Sequence, residues 1–491
     1  MKNRLIPIIA ALACTSAAGQ VSHTLYYMES VPQTNILNPA RQPRANKYIS
    51  VPGANAYVAA STNLRPLDFF QKDGDKWLTP LNNGFDYDDL YDNYKKRLAI
   101  DANVNIGILN FGWRTSDGNY WTFSLSERVS ADAALPADLL KIGDRGLPSG
   151  TVLDFATLGI SAMAYSELAA SYSYAFDDQW TFGVRAKILA GSAAAKMRNS
   201  KFSIRTGEDK WHVETDLEIL TSFPLETTGC IKEDGTVEFD SVDVREFDED
   251  RDLIKHLIPS LKNPGFGIDL GATYKFNDNI RFSASVTDLG FISWGRDVSR
   301  FKSDGDFDFH GINYNLDNPE HNDDFQNAVD DAVDSVLTNC QVTLNHSRFA
   351  TGLRPSVYLG AEYTPVYFLN LGFLSHTKFH PTHRVNQDFN ISATLNPYKF
   401  PASATFGYTI NTLGLSSASF GLAVRMGVLQ FYAMTDYIPA KYNVYKTTDG
   451  DEIPAPHNIS NVNVSVGLNL LFGSKGYRDR PMTQTSSIIT E

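Results

Sequence analysis

Between Asn461 and Phe472 the chain reads N-V-N-V-S-V-G-L-N-L-L-F. Side chains of an extended strand point alternately to opposite faces, so Val462, Val464, Val466, Leu468, Leu470 and Phe472 share one side. Asn461, Asn463, Ser465, Gly467 and Asn469 share the other. A strand that is apolar on one face and small and polar on the other suits a sheet between lipid and a wet lumen. A half-buried strand of a soluble sandwich alternates in the same way, so this stretch alone does not decide between them.

Recurrence and loop lengths decide it. Leu98, Ile100, Ala102, Val104, Ile106 and Ile108 oppose Ala99, Asp101, Asn103, Asn105 and Gly107. Trp180, Phe182, Val184, Ala186 and Ile188 oppose Thr181, Gly183, Arg185 and Lys187, and Ile268, Leu270, Ala272, Tyr274 and Phe276 oppose Gly267, Asp269, Gly271, Thr273 and Lys275. Tight links at 177–179, 277–279, 364–366, 396–399 and 427–428 alternate with long polar stretches at 61–97, 192–264, 296–350 and 439–458. Short turns on one rim and long loops on the other are the pattern of a transmembrane barrel, and a sandwich has no reason to sort its loops so. Parity predicts an all-β, antiparallel barrel of about fourteen strands over 48–472. The patterned piece Trp211, Val213, Thr215, Leu217 must then lie outside the wall.

Lys2 and Arg4 precede an apolar run from Leu5 to Ala13, and Ala17-Ala18-Gly19 supplies small residues for cleavage, so 1–19 reads as a signal peptide with the mature chain starting at Gln20. Cys14 has Ala11 where a lipoprotein usually has leucine, which argues against lipidation. After the signal no run approaches the ~18 apolar residues of a membrane helix. The chain is expected in the outer membrane, in contact with its lipid. Aromatic residues make up 12 % of the chain, as girdles at both membrane surfaces require, and the net charge of -13 excludes a nucleic-acid partner. Cys230 and Cys340 could pair in an oxidising compartment, but spacing does not establish it.

Residues 20–47 are too irregular for a strand and too apolar for a solvated tail, and a barrel of this width is not filled by its own side chains. They are expected to form a lumenal plug centred on Asn38, Pro39 and Ala40, while 473–491 is expected to be a periplasmic tail. Arg185, Lys187, Asp269, Lys275 and Arg425 fall on the polar face, where a charge needs a partner or water. They read either as a site for a ligand headgroup or as ion pairs that hold the plug, with Arg185, Lys187 and Arg425 bonding to its carbonyls or to Glu29.

Other chemistry is sparse. His376, His380 and His383 could supply three zinc ligands, but Pro381 prevents a helix from aligning them and a solvated loop is the expectation. Asp304, Asp306 and Asp308 open like a calcium loop without its glycine or closing glutamate. Helical spacing marks 323–337 and Leu135–Ile142 as short helices, either caps on the barrel or faces for a partner. No nucleophile elbow, phosphate loop or paired carboxylate is present, so neither enzyme activity nor a cofactor is expected.

The Asn38-Pro39-Ala40 element ahead of such a barrel resembles the FadL-like outer-membrane proteins. The segments Ser285-Val286-Thr287-Asp288-Leu289-Gly290-Phe291-Ile292, Val424-Arg425-Met426-Gly427 and Phe431-Tyr432-Ala433-Met434-Thr435-Asp436 are similar to those of PorV- and PorP-type barrels. The first resemblance implies passive diffusion of hydrophobic or amphipathic small molecules past a hatch, with release through a lateral gap. The second implies an adaptor of an outer-membrane secretion or assembly complex whose extracellular loops dock protein partners. The large acidic loops favour the adaptor.

Overall fold

The computed structural model describes residues 23–474 except 63–65, 70, 74–75, 79–84, 88–89, 91–96, 139–148, 209, 232–236, 245–258, 310–342, 381–384, 397–400, 412–415, 439–441, 447–451 and 457–460. The wall begins with β1, in two segments, Ala45–Ser50 and Asn55–Thr62. It continues with β2 (Arg97–Arg114), β3 (Tyr120–Pro136), β4 (Gly159–Ala175) and β5 (Trp180–Arg205). Then come β6 (Ser260–Lys275), β7 (Ile280–Trp294), β8 (Ser356–Val366), β9 (Leu369–Phe379) and β10 (Val385–Leu395). The last four are β11 (Ala402–Asn411), β12 (Ser416–Met426), β13 (Leu429–Ile438) and β14 (Asn461–Ser474).

Each strand pairs antiparallel with its predecessor, and β14 returns to pair with both segments of β1, closing a 14-strand ring. Closure satisfies the ladder without a free edge, which is the condition for β structure in lipid. The wall is slightly longer at both ends than alternation suggests: it starts at Ala45, three residues into the segment assigned to the plug, and ends at Ser474.

Burial is inverted relative to a soluble protein. On β14 Asn463, Ser465 and Asn469 are buried inward while Val464 faces out, 47 % exposed. Leu168, Ile188, Phe266, Leu359, Ile391 and Ile410 are each more than half exposed on the outer face. An apolar surface of this extent is not tolerated in water, so the ring is a membrane-spanning one. No helix among the described residues is long and apolar enough to cross a membrane; the strands do that. Near the short turns an aromatic belt runs from strand to strand, with ring centroids 5.6 Å apart for Trp113–Phe123, 4.6 Å for Trp121–Tyr172 and 4.5 Å for Trp180–Tyr274. Such a belt marks the interface between hydrocarbon and water.

Beyond the opposite rim, Trp211–Ser222 pairs with the far end of β5 and with Val298–Phe309, outside the ring. The Asp304, Asp306, Asp308 triplet therefore lies on an extended strand rather than in a calcium loop, and Asp308 pairs with Lys210 and His212. The helix expected at Leu135–Ile142 does not begin at Leu135, because it and Pro136 complete the β2–β3 ladder; Ala137 and Asp138 form a 3-10 turn, and 139–142 lie outside the described residues. The helix expected at 323–337, His383, Cys340, the signal peptide and the tail beyond Ser474 lie outside the described residues.

Ile391 sits near the middle of β10 and is 65 % exposed. Arginine there should lower stability by about 2–4 kcal/mol in urea unfolding from lipid vesicles. A change below about 0.5 kcal/mol, as on a water-facing surface, would contradict the lipid-facing assignment.

Candidate functional site

The short helix α1 (His23–Tyr26) and the 3-10 turn Pro32–Ile36 belong to a segment, 23–44, packed against the inner face of the wall. Tyr26, Tyr27, Met28, Val31 and Leu37 form a buried cluster with the inward Tyr358, Leu374, Tyr432 and Met434. With no strand partner, the segment bonds its backbone partly within its own turns and takes further partners from the lining. Tyr26 donates to Ser283 Oγ at 3.0 Å, Asn35 Nδ2 to Thr122 Oγ1 at 2.8 Å, Ser285 Oγ to the Leu37 carbonyl at 2.7 Å, and Gln430 Nε2 to the Ser30 carbonyl at 2.7 Å. Asp436 on β13 accepts from the His23 N–H at 2.7 Å and from the Thr24 N–H at 3.1 Å, holding the first turn of α1.

Asn38 is wholly buried. Its Oδ1 accepts from the Ala40 N–H at 2.9 Å, and its Nδ2 donates to Tyr26 Oη and the Ala284 carbonyl, both at 3.3 Å. This turn seats in a notch made by Gly183 and Gly271, which are directly paired across β5 and β6. A Cβ on Gly183 would lie 2.1 Å from the Pro39 carbonyl carbon, and one on Gly271 would lie 2.1 Å from Asn38 Oδ1. Both glycines were legible as members of the polar face, but only the packing shows why neither has a side chain.

The segment's own charges are matched. Arg41 pairs with Glu362 on β8 and lies 4.4 Å over the Tyr26 ring, while Glu29 bonds Arg44 at 2.6 Å and also Arg281 on β7. Burial alone would raise the Glu29 carboxyl, but the Arg281, Arg44 and Arg41 guanidiniums outweigh it and hold it well below its ordinary value.

The polar-face charges separate into two groups. Arg185, Lys187 and Asp269 are buried together and joined by Arg128, Glu167 and Asp288. Lys187 Nζ lies 2.7 Å from Asp269 and 2.6 Å from Asp288, Arg185 Nη2 is 3.1 Å from Glu167, and Arg128 is 3.2 Å from Glu167 and 3.0 Å from Asp288. Three cations balance three carboxylates, which is what makes their burial tolerable. Asp288 reaches this cluster because the β6–β7 ladder shifts register between Ile268 and Leu270, and its φ of +59° turns its side chain inward. Arg185 and Lys187 therefore bond within the wall, contrary to the expectation that they hold the N-terminal segment. Lys275 and Arg425 are not lumenal. Each lies within three residues of a tight turn: Lys275 pairs with Asp278 at 2.7 Å, and Arg425 donates to the Gly427 and Leu471 carbonyls at 2.9 and 3.4 Å.

A second set of ion pairs crosses the lumen. Asp101 on β2 receives Arg354 at 2.7 Å and Lys378 on β9 at 2.9 Å, and His380 lies 3.2 Å from both Asp101 and Asp132. β2 and β9 are seven strands apart in a ring of 14 and so face one another. His376 and His380 are thus buried rather than in a solvated loop: β9 continues to Phe379, past the point where the sequence suggested a loop.

Between the segment and the wall lies a cavity of about 150 Å³. Leu25 and Leu37 form one side, Tyr57, Tyr165 and Tyr432 the other, and Arg128 and Asp288 border it.

The architecture and lining define a closed membrane-spanning β-barrel with a polar, occupied lumen. The chain belongs to a family described as "Family of unknown function (DUF5723)", whose model matches residues 39–436. No curated protein matches it. Among solved structures it is similar to a Pseudomonas aeruginosa FadL homologue, at 10% identity and a TM-score of 0.43 over 93% of this chain and 100% of that one. It is also similar to the Ralstonia pickettii toluene transporter TbuX, at 10% identity and a TM-score of 0.39 over 91% and 95% of the two chains.

Valine at Gly183 should push the Asn38–Pro39 turn out of its notch at a cost of about 1–3 kcal/mol. Trypsin cleavage at Arg41 and Arg44 should then accelerate roughly 10–100-fold while the barrel keeps its heat-modifiable migration. An unchanged cleavage rate would mean that the notch does not hold the turn.

The depressed Glu29 carboxyl makes a second, pH-dependent prediction. Its stabilising contribution is fully present above the unfolded-state value of 4.5 and is lost as pH falls through the lower folded-state value. Amide protection in 26–44, corrected for intrinsic exchange, should stay constant from neutral pH to about 5 and fall only in stronger acid. Glu29→Gln should abolish that step.

Proposed function

We propose that the chain is a non-enzymatic outer-membrane barrel for passive passage of hydrophobic or amphipathic small molecules, exported by the signal at 1–19 and gated by the segment 23–44. The observation that carries this reading is the partly open cavity of about 150 Å³ bounded on one side by that segment. A void of this size accommodates about one aromatic ring. Its lining mixes leucines and tyrosines with asparagines, serines and charges of both ion-pair groups, among them Arg128 and Arg354, which suits an amphipathic solute. Movement of the segment would widen the cavity, because the segment itself supplies Leu25 and Leu37. The Arg354–Asp101 and Lys378–Asp101 pairs form a second barrier across the lumen.

The adaptor reading has less support. The acidic loops that favoured it fall partly among residues outside those described. In the motifs similar to PorV- and PorP-type barrels, Asp288 and Asp436 point into the lumen, where they hold Lys187 and α1 and offer no surface to a partner.

Two measurements test the transport reading. The intact barrel should show near-zero ion conductance in planar bilayers, and deletion of 23–43 combined with Arg354→Ser should produce a steady pore. Ser126 is buried on the cavity wall. Ser126→Trp should fill the void and reduce monoaromatic solute entry into proteoliposomes at least about tenfold. A closed double variant, or unchanged solute entry in Ser126→Trp, would remove the basis for the proposal.

A further inference from the structure

Where the N-terminal segment meets β9 and β10, three side chains bring metal-ligating atoms together. His23 Nε2 is 3.1 Å from His376 Nδ1 and 3.7 Å from Asp388 Oδ2, and His376 Nδ1 is 3.4 Å from the same oxygen. All three residues are at most 1 % exposed. At zinc bond lengths of about 2.0–2.1 Å, neighbouring corners of a tetrahedron lie roughly 3.3–3.4 Å apart, the mean edge of this triangle. Two imidazoles and one carboxylate are also a donor set that zinc takes, leaving a fourth position for water. We infer that His23, His376 and Asp388 form a zinc site that ties the N-terminal segment to the barrel wall.

Each ligand is aimed before a metal arrives. His376 and Asp388 are directly opposite in the β9–β10 register, so the ladder sets their separation. The His376 ring lies flat on Tyr358, with centroids 4.3 Å apart and planes within 4°. The His23 backbone is pinned by Asp436, which accepts its N–H and in turn receives Asn463 Nδ2 at 2.8 Å. Locking of this kind reduces the ordering that binding requires. A second buried histidine–carboxylate group among the described residues, Asp101, Asp132 and His380, already holds Arg354 and Lys378, so side-chain cations stand there where a metal would.

The position gives the site a consequence. One ligand comes from the segment and two from the wall, so a bound metal cross-links the two, and its removal frees the end of the segment. This consequence rests on the gating reading above, whereas metal binding does not.

The test uses the full-length barrel, stripped with chelator and titrated with zinc alone or with cobalt as a spectroscopic probe. Roughly one equivalent should bind, with the intense visible absorption of a tetrahedral cobalt site. His23→Ala, His376→Ala and Asp388→Asn should each weaken binding at least about tenfold, while His380→Ala leaves it unchanged. Heat-modifiable migration checks that each variant is folded, and His23→Cys should restore binding with a new sulfur-to-cobalt charge-transfer band. A folded wild-type barrel that binds no metal, or binding indifferent to His23→Ala, overturns the site and leaves a hydrogen-bonded histidine pair. If zinc binds but chelator leaves the proteolysis rate at Arg41 and Arg44 unchanged, the site stands and its role as a latch falls.

Discussion

Pairing of β14 with β1 is the constraint on which the other features depend. In hydrocarbon each unpaired backbone N–H or C=O costs several kcal/mol, so a membrane sheet must close on itself. Closure gives every strand one face toward lipid and one toward the lumen. This is why Val464 and Ile391 lie outside while Asn463, Asn469 and Asn390 lie inside. The enclosed space is polar and wider than the side chains that line it, and this creates the setting for everything the N-terminal segment does.

That segment solves the problem of non-periodic backbone at membrane depth. It borrows wall serines, threonines, asparagines and carbonyls for its hydrogen bonds, and buries its tyrosines against inward Tyr358 and Tyr432. Close approach requires the wall to lack side chains at the contact, which Gly183 and Gly271 provide. Its attachment combines that apolar cluster with hydrogen bonds to the lining and long-range ion pairs, chiefly Arg41–Glu362 and Glu29–Arg281. A cavity left beside the segment gives it room to shift against the wall.

The charge cluster around Lys187 follows a different logic. Its members sit on adjacent strands, so it braces the wall against itself. Asp288 holds a left-handed φ that costs a non-glycine residue about 1–3 kcal/mol, offset by its bonds to Lys187 and Arg128. Between β7 and β8 the regular ladder is interrupted at the same level, where Leu353 N–H bonds the Gly290 carbonyl. The bulge thus aims an acid inward and locally relaxes the wall.

Alternation and loop length made the strand number and the lipid-facing side readable, because a period of two is a local property that each strand carries by itself. The same pattern put Arg185, Lys187 and Asp269 inside but misplaced Lys275 and Arg425, since alternation does not record that a side chain near a turn can bend back to the rim. Partners were a different matter. The pairing of Asp101 with Arg354, the notch behind Pro39 and the meeting of His23 with His376 join residues more than a hundred positions apart. No local period encodes such distances. They are decided by how the closed ring brings opposite strands within reach and by which wall positions the inserted segment touches, and both are properties of the tertiary structure alone.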